Sequence, residues 1–527
     1  MPFFPNSSGV EVLGSTLVDN SSNVYINVQT ERTERDDISA LLKFVAPEAI
    51  QDDKEREDAP RCKEDTRQEV LTDILQWLRR PYGGEDPTDI LWLTGFMGTG
   101  KTAIAQTLAE ACAEEKTLAA VFFFSYRLQK SNNHSRLIPT LAYQLTLKIP
   151  RAKRFIIDAV SRDPLHPRKN LRSQMESLIL QPLEQARQEK PGEKWPNTII
   201  IDGLDECEDE VQQAAVLKLI HECLETGRFP FRVVIASRRE KEIREYFEGK
   251  GRQRTRQIDL GSYDANPDIE LFLRQSFADK HAKDESGSPW PSNEDIDALV
   301  RMSSGQFVFA SMVLKYVNDP TSYHSESHLQ EVLALSSKRN GSSESLAPFT
   351  PLDELYASIL NKSPSPSESA LAIVIISKLS SLHWRPVFAS EANRLLESRS
   401  NECKRLFDRL HSILFVPLPD QVSTSSYRVY HKSLVDFLTD RRPFRREIQK
   451  NLYVPDVVVH TAICKRYLNM YARKPFSLPM TLPQVLISLQ SQQQLPTLRF
   501  HQSALLGTLR AQTSRMKSFE PYSKVPT

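Results

Sequence analysis

The sequence predicts an α/β core on a mainly parallel sheet, followed by helical and winged-helix-like parts. Three observations predict it. Short, continuous apolar runs suit strands buried on both faces: Thr117–Ser125, Thr198–Asp202 and Phe231–Ser237. Helical patterns such as Ile138–Leu147 and Gln212–Leu224 separate those runs, as in βαβ units. A further apolar run, Ile90–Thr94, passes through a glycine-rich loop directly into an amphipathic helix.

That loop, Gly95-Phe-Met-Gly98-Thr99-Gly100-Lys101-Thr102, fits G-x-x-x-x-G-K-[ST] at every position. Backbone N–H groups at a helix N-terminus form a concave anion site, and the helix dipole adds positive charge there. Gly95, Gly98, Thr99, Gly100, Lys101, Thr102 and Ala103 are therefore the candidate phosphate-binding residues. Lys101 is expected to reach the β- and γ-phosphates, and the Thr102 hydroxyl to ligate Mg²⁺.

Nucleotide hydrolysis also needs an acidic residue at the end of a neighbouring strand. Ile199-Ile-Ile201-Asp202-Gly203-Leu204-Asp205-Glu206 supplies one: Asp202 emerges at the carboxyl edge, where open α/β sheets bind ligands. Its carboxylate is expected to hold Mg²⁺ opposite Thr102. Asp205 or Glu206 can orient or deprotonate the attacking water, and Glu206 is the favoured base. Val233-Val-Ile-Ala-Ser237-Arg238 ends in an arginine whose planar fork suits a γ-phosphate.

The remainder reads mostly as helix. Asp268–Phe277 and Asp295–Val317 carry apolar residues at helical spacing, a Ser/Lys/Asn/Gly loop follows at Ser336–Ser345, and helices resume at Leu352–Leu360, Ser367–Leu379 and Cys403–Leu410. Ser412–Leu418 with Ser426–His431 reads as a hairpin, then a helix through Phe437. Before the core, Thr66–Arg79 reads as a helix, Asn23–Val28 as a strand, and Gln51–Pro60 as a charged linker. The tail from Leu478 is expected to be poorly ordered at its end. The expected boundaries are 1–60 for a polar segment and linker, 61–262 for the NTPase core and 263–345 for a helical domain. A winged-helix-like region over 346–445 and a helical segment and tail over 446–527 complete them.

Composition narrows the class. The 527 residues exceed a single hydrophobic core, and Lys plus Arg (68) nearly balances Asp plus Glu (67). That balance argues against a nucleic-acid clamp. The six cysteines are scattered without metal-binding spacing, which suits reduced thiols in a reducing compartment. There is no apolar run long enough to span a membrane and no signal peptide, so a cytoplasmic protein is expected.

Taken in order, Gly95–Thr102, Asp202-Gly-Leu-Asp-Glu206 and Ala236-Ser-Arg238 resemble a NACHT-type NTPase of the STAND class, an NLR-like group. Thr66-Arg67, Phe122-Phe-Phe-Ser125, Pro139–Leu145, Gly305-Gln-Phe307 and His431–Leu438 are similar to the fungal members. The resemblance implies ATP/ADP and Mg²⁺ as cofactors, with Lys101, Thr102 and Asp202 at phosphate and metal and Arg238 as sensor. It further implies His431 at the β-phosphate, locking an ADP-bound closed form, and Thr66–Arg67 near the adenine. The implied activity is a switch with slow hydrolysis, whose partners are further copies of itself or related NACHT subunits. In this chain the family's G-x-P motif stands as Gly305-Gln306-Phe307, and no WD40, ankyrin or TPR repeats follow. Two alternatives stay open: a conventional P-loop ATPase or nucleotide-dependent kinase, and a truncated regulatory paralogue lacking its sensor.

Overall fold

The computed structural model describes residues 17–19, 24–26, 34–80, 87–126, 130–281, 290–319, 325–337, 350–382, 387–397, 399, 401–442 and 445–473. Most of the expected loop at Ser336–Ser345 and the whole tail from Leu478 lie outside them. The chain divides into two compact units, Met1–Leu314 and Lys315–Thr527.

In the first unit, strands β1 (Leu17–Asp19) and β2 (Val24–Ile26) form a small antiparallel pair. The main sheet comprises β3 (Ile90–Thr94), β4 (Leu118–Phe123), β5 (Thr198–Asp202), β6 (Arg232–Ser237) and β7 (Thr255–Asp259), in the order β4-β5-β6-β3-β7. Every pairing is parallel. All residues of β3, β4, β5 and β6 are buried, as continuous apolar runs require when helices cover both faces.

Alternation along these strands divides the side chains between two cores. Trp92, Phe122, Ile199, Ile201, Val233 and Ile235 pack to one side, with the helices Leu137–Lys148 and Pro150–Arg162. Leu91, Leu93, Val121, Phe123, Ile200 and Val234 pack to the other, against the helices Gln68–Leu78 and Lys101–Glu114. Burying one such side chain contributes about 1.5–3 kcal/mol, so the two-faced burial dominates the stability of this sheet.

Three features depart from the pattern-based expectation. β7 was not expected: Thr-Arg-Gln-Ile-Asp offers only Ile258 as a buried residue, because the strand lies at the sheet edge beside β3. The single helix expected over Asp295–Val317 is two, Asn293–Ser303 and Phe307–Val317. Ser304 (φ +46°) and Gly305 (φ +75°) turn left-handed between them and end the first helix. The charged linker expected at Gln51–Pro60 is not extended: it holds a 3₁₀ turn at Lys54–Arg56, and Gln51 and Arg56 both bond to Gln106 of the core.

The second unit is helical, with Thr350–Leu360, Pro366–Leu382, Lys432–Thr439 and Asp456–Arg473 among its helices. The expected hairpin is present as β8 (Leu414–Phe415) antiparallel to β9 (Arg428–Val429). Its interior contains a buried ion pair: the Arg445 Nε and Nη2 groups donate to the Asp353 carboxylate at 2.8 and 3.2 Å. Both side chains are almost completely shielded, at 2% and 1% exposure.

Removing one member of that pair leaves the other charge buried and uncompensated. Asp353→Ala is expected to cost about 3–5 kcal/mol, while the double change Asp353→Leu/Arg445→Met should recover much of it. Urea denaturation of the three proteins measures both quantities; equal stability of single and double variants would show that the pair is not energetically coupled.

Candidate nucleotide-binding site

Parallel register collects the candidate residues. Thr94 pairs with Ser237, Asp202 with Ala236, and Phe123 with Asp202, so β3, β4, β5 and β6 all end on one edge. The glycine-rich loop leaves β3 there, Gly203–Glu206 leaves β5, and Arg238 follows β6. The structure therefore brings Gly95–Ala103, Asp202, Asp205, Glu206 and Arg238 to one end of the sheet.

The loop needs glycine at two positions for stated reasons. Gly98 (φ +79°) and Gly100 (φ +93°) both lie in the left-handed region. A β-carbon on Gly98 would also stand 2.2 Å from the Val308 Cγ1. The Val308 N–H donates to the Gly98 carbonyl at 3.2 Å, so the second helix of the split pair is tied to the loop. The Lys101 ammonium donates to the Gly95 and Phe96 carbonyls at 2.8 and 2.9 Å. Burial pushes its pKa down to about 8, against the pull of Asp205 and with the repulsion of Arg238.

Asp202 is only 2% exposed. The Thr102 hydroxyl lies near enough to the Asp202 carboxylate to favour its ionised form, and the Asp202 Oδ1 has no hydrogen-bond partner in the protein. Burial raises its pKa to about 7; the Thr102 hydroxyl and the Arg56 charge act in the opposite direction, while Glu206 and Asp205 add to the rise. An orphaned buried carboxylate oxygen beside a hydroxyl is a donor set that suits a hard divalent cation such as Mg²⁺, which also takes water and phosphate oxygens. Among the described residues, no group of three or more His, Cys, Asp or Glu side chains forms a metal cage.

The two acidic residues after Asp202 have separate attachments. Asp205 accepts the Arg238 backbone N–H at 3.0 Å and pairs with the Arg238 Nε at 3.2 Å. Two candidate residues thus hold each other, and Arg238 is positioned by the acidic turn. The Glu206 Oε2 accepts the Tyr126 backbone N–H at 3.0 Å. Gly203 makes the turn possible: at φ +69° its absent side chain leaves room for the Phe124 carbonyl, 3.0 Å from where a β-carbon would be.

Further residues complete the site from the helical side. Arg67, itself at φ +58°, is buried and donates from Nη2 to the Thr99 carbonyl at 3.1 Å. Its guanidinium lies 4.8 Å from the centroid of the Phe307 ring and 3.9 Å from the Asp268 carboxylate. Phe307, standing in the G-x-P position, packs on an arginine that holds the phosphate loop. Arg56 was missed altogether, since a charged run ordinarily reads as a solvated surface; no sequence signal singled it out.

His431 belongs to the second unit. There it caps the helix Lys432–Thr439, its Nδ1 accepting the Ser433 N–H at 3.1 Å and meeting the Ser433 hydroxyl at 2.6 Å. That hydroxyl also meets the Tyr356 hydroxyl at 2.7 Å.

Residues 65–238 match the family model described as Nephrocystin 3, N-terminal, and so span the glycine-rich loop, the acidic turn and Arg238. This segment, less than half of the chain, is similar to that family. No curated protein sequence matches the chain. Solved structures with a loose likeness include Cdc6p from Pyrobaculum aerophilum, at 16% identity and TM-score 0.31, covering 75% of this chain and 96% of that one. AMPPCP-bound DnaA from Aquifex aeolicus shows 13% identity and a TM-score of 0.29, covering 80% and 99%. Drosophila ORC bound to DNA shows 13% identity and 0.28, covering 72% and 98%. At such TM-scores the likeness says nothing about activity or partners.

The position of Asp202 has a consequence for stability against pH. Its carboxyl ionises near 3.8 when free and near 7 in the folded protein, so the folded state holds the proton more tightly. The Asp202 contribution to stability is fully present below pH 4 and is lost as pH rises to about 7, where the buried carboxylate is ionised. Asp202→Asn removes that loss. In metal-free buffer the variant should gain on the parent between pH 4.5 and 8, by at most about 1.4 kcal/mol per pH unit crossed. Denaturation curves at the two pH values check this; a constant difference would mean that Asp202 is not the titrating group.

Proposed function

We propose that this protein is an ATP/ADP-binding switch of the STAND type, with slow hydrolysis, that couples nucleotide state to self-assembly. The observation that carries this reading is the juxtaposition of Thr102 with the orphaned, buried Asp202 oxygen at the mouth of the glycine-rich loop. Bound Mg²⁺ would neutralise phosphate charge there, held by Thr102 and Asp202. The loop amides and Lys101 would bind and orient the β- and γ-phosphates, and Arg238, fixed by Asp205, would sense the γ-phosphate.

Slow turnover is supported by how the acidic turn is occupied. Asp205 is committed to Arg238, and Glu206 accepts a backbone N–H, so neither stands ready as a base. Glu206 remains the better candidate, because Asp205 is held by both the backbone N–H and the guanidinium of Arg238. On this reading the NTPase core spans 61–262, followed by helical and winged-helix-like parts, and the protein works in the cytoplasm. Its partners are further copies of this chain or related NACHT subunits. Among the described residues no helix is long and apolar enough to cross a membrane. His431 is proposed to lock the ADP-bound form, the role its resemblance implies.

Equilibrium binding of fluorescent ADP and ATP analogues, with light scattering on a size-exclusion column, tests the reading. The parent chain should bind both nucleotides and assemble further with a non-hydrolysable ATP analogue. Lys101→Ala should weaken binding by at least about tenfold, the loss of one charge-assisted phosphate contact, and stay monomeric. His431→Ala should assemble more readily; because it also loses a helix cap worth about 1 kcal/mol, its folded fraction is measured alongside. Purified, folded protein that binds no nucleotide would end this reading, and steady turnover without any change in assembly would favour a conventional ATPase.

A further inference from the structure

The stretch 47–62 runs along the glycine-rich loop's helix, Lys101–Glu114, and makes polar contacts with it. The Gln106 Nε2 donates to the Gln51 carbonyl at 3.2 Å, the Cys62 N–H donates to the Thr107 hydroxyl at 3.0 Å, and the Arg61 Nε donates to Glu110 at 2.8 Å. The Arg56 Nη2 donates to the Gln106 Oε1 at 3.0 Å. Gln106, fully buried, sits one helical turn beyond Thr102. These contacts bind the strap to the same helix that carries the Thr102 hydroxyl.

Arg56 also reaches the sheet. Its guanidinium carbon lies 3.6 Å from the centroid of the Phe123 ring, and Phe123 is the residue of β4 paired directly with Asp202 of β5. The guanidinium is therefore bracketed by the helix of Thr102 and the strand neighbour of Asp202. Its charge is felt at the Asp202 carboxylate, where it opposes the effect of burial.

We propose that Arg56 is a built-in countercharge for the Thr102–Asp202 site, and that a divalent cation bound there loosens the 47–62 strap by repelling it. This rests on the nucleotide-binding reading above. A dication and a guanidinium that both lie near one buried carboxylate repel each other, and the shielded setting screens them poorly. Thermodynamic reciprocity then requires that a seated strap weaken metal binding by the same factor that metal weakens the strap. The device would pass the nucleotide state of the loop to the residues that precede the core, where the sequence otherwise offers no output.

The test uses the full chain saturated with ADP, and Mn²⁺ as the probe, titrated by electron paramagnetic resonance. Arg56→Gln should tighten Mn²⁺ binding by about threefold to tenfold, the effect of removing one nearby positive charge. Arg56→Lys should keep the parent affinity. Hydrogen exchange of the 47–62 peptides should quicken when Mn²⁺ is added to the ADP-bound parent, and should be fast and unresponsive in Arg56→Gln. Unchanged or weaker Mn²⁺ binding in Arg56→Gln would overturn the proposal. Should that variant not fold, a strap equally protected with and without Mn²⁺ in the parent overturns it instead. A parent that binds no ADP removes the reading beneath it, whereas ADP binding without an Arg56 effect removes this inference alone.

Discussion

Parallel pairing of β3, β5 and β6 in one register is the constraint on which the site depends. Because Thr94 stands opposite Ser237 and Asp202 opposite Ala236, the three strands end together, and whatever follows each must share one edge. A slip of one residue would turn every side chain to the opposite face and send Trp92 and Val233 into the wrong core. The register is fixed from within: the Trp92 indole N–H donates to the Ser237 hydroxyl at 2.9 Å inside the sheet, while its ring stacks on Phe247 at 4.4 Å. The chemistry at the edge is thus set by packing two layers away from it.

That same packing creates the electrostatic tension at Asp202. A carboxylate with one unpartnered oxygen, buried at the end of a fully apolar strand, costs several kcal/mol when ionised. A conventional core would place an apolar residue there. The nearby cationic groups offset part of the cost without cancelling it. Lys101 is held by loop carbonyls, Arg238 is engaged by Asp205, and Arg56 is seated over Phe123. Arg56 and Lys101 act on the carboxylate alongside Asp205 and Glu206, yet none of the cationic groups makes the direct hydrogen bond that would satisfy Oδ1. That unpartnered oxygen is the feature on which the proposed Mg²⁺ site rests.

The sequence was most legible where a local rule and a global requirement coincide. Gly98 and Gly100 are glycine for backbone reasons that the motif encodes, and the Ile-Ile-Ile run before Asp202 has no good use except a strand covered on both faces. It was least legible where tertiary contacts override composition. Thr255–Asp259 pairs because an edge was open beside β3, not because its residues are apolar. The 47–62 stretch has the charge density of a solvated linker, yet Arg56 and Arg61 find acceptors on one helix, which no periodicity reveals. Phe307 likewise reads as an ordinary core aromatic until the Arg67 guanidinium is found against it. His431 shows the converse: a motif position can carry an evident structural duty, here a helix cap, that pattern alone does not disclose.

The loop is gripped from two directions within the first unit. On one side the Val308 N–H bonds the Gly98 carbonyl, with no room for even a methyl group between them; on the other, Arg67 bonds the Thr99 carbonyl while its guanidinium faces the Phe307 ring. Val308 and Phe307 are adjacent, at the start of the helix freed by the Ser304–Gly305 break. Any shift of the loop backbone must therefore displace that helix start or break its contacts, because close-packed groups do not deform smoothly. Tight coupling of this kind gives a phosphate loop two discrete arrangements rather than a continuum, and that is the physical precondition for a ligand to select between states. The proline expected in the G-x-P position could not supply the cation–π contact that Phe307 makes with Arg67.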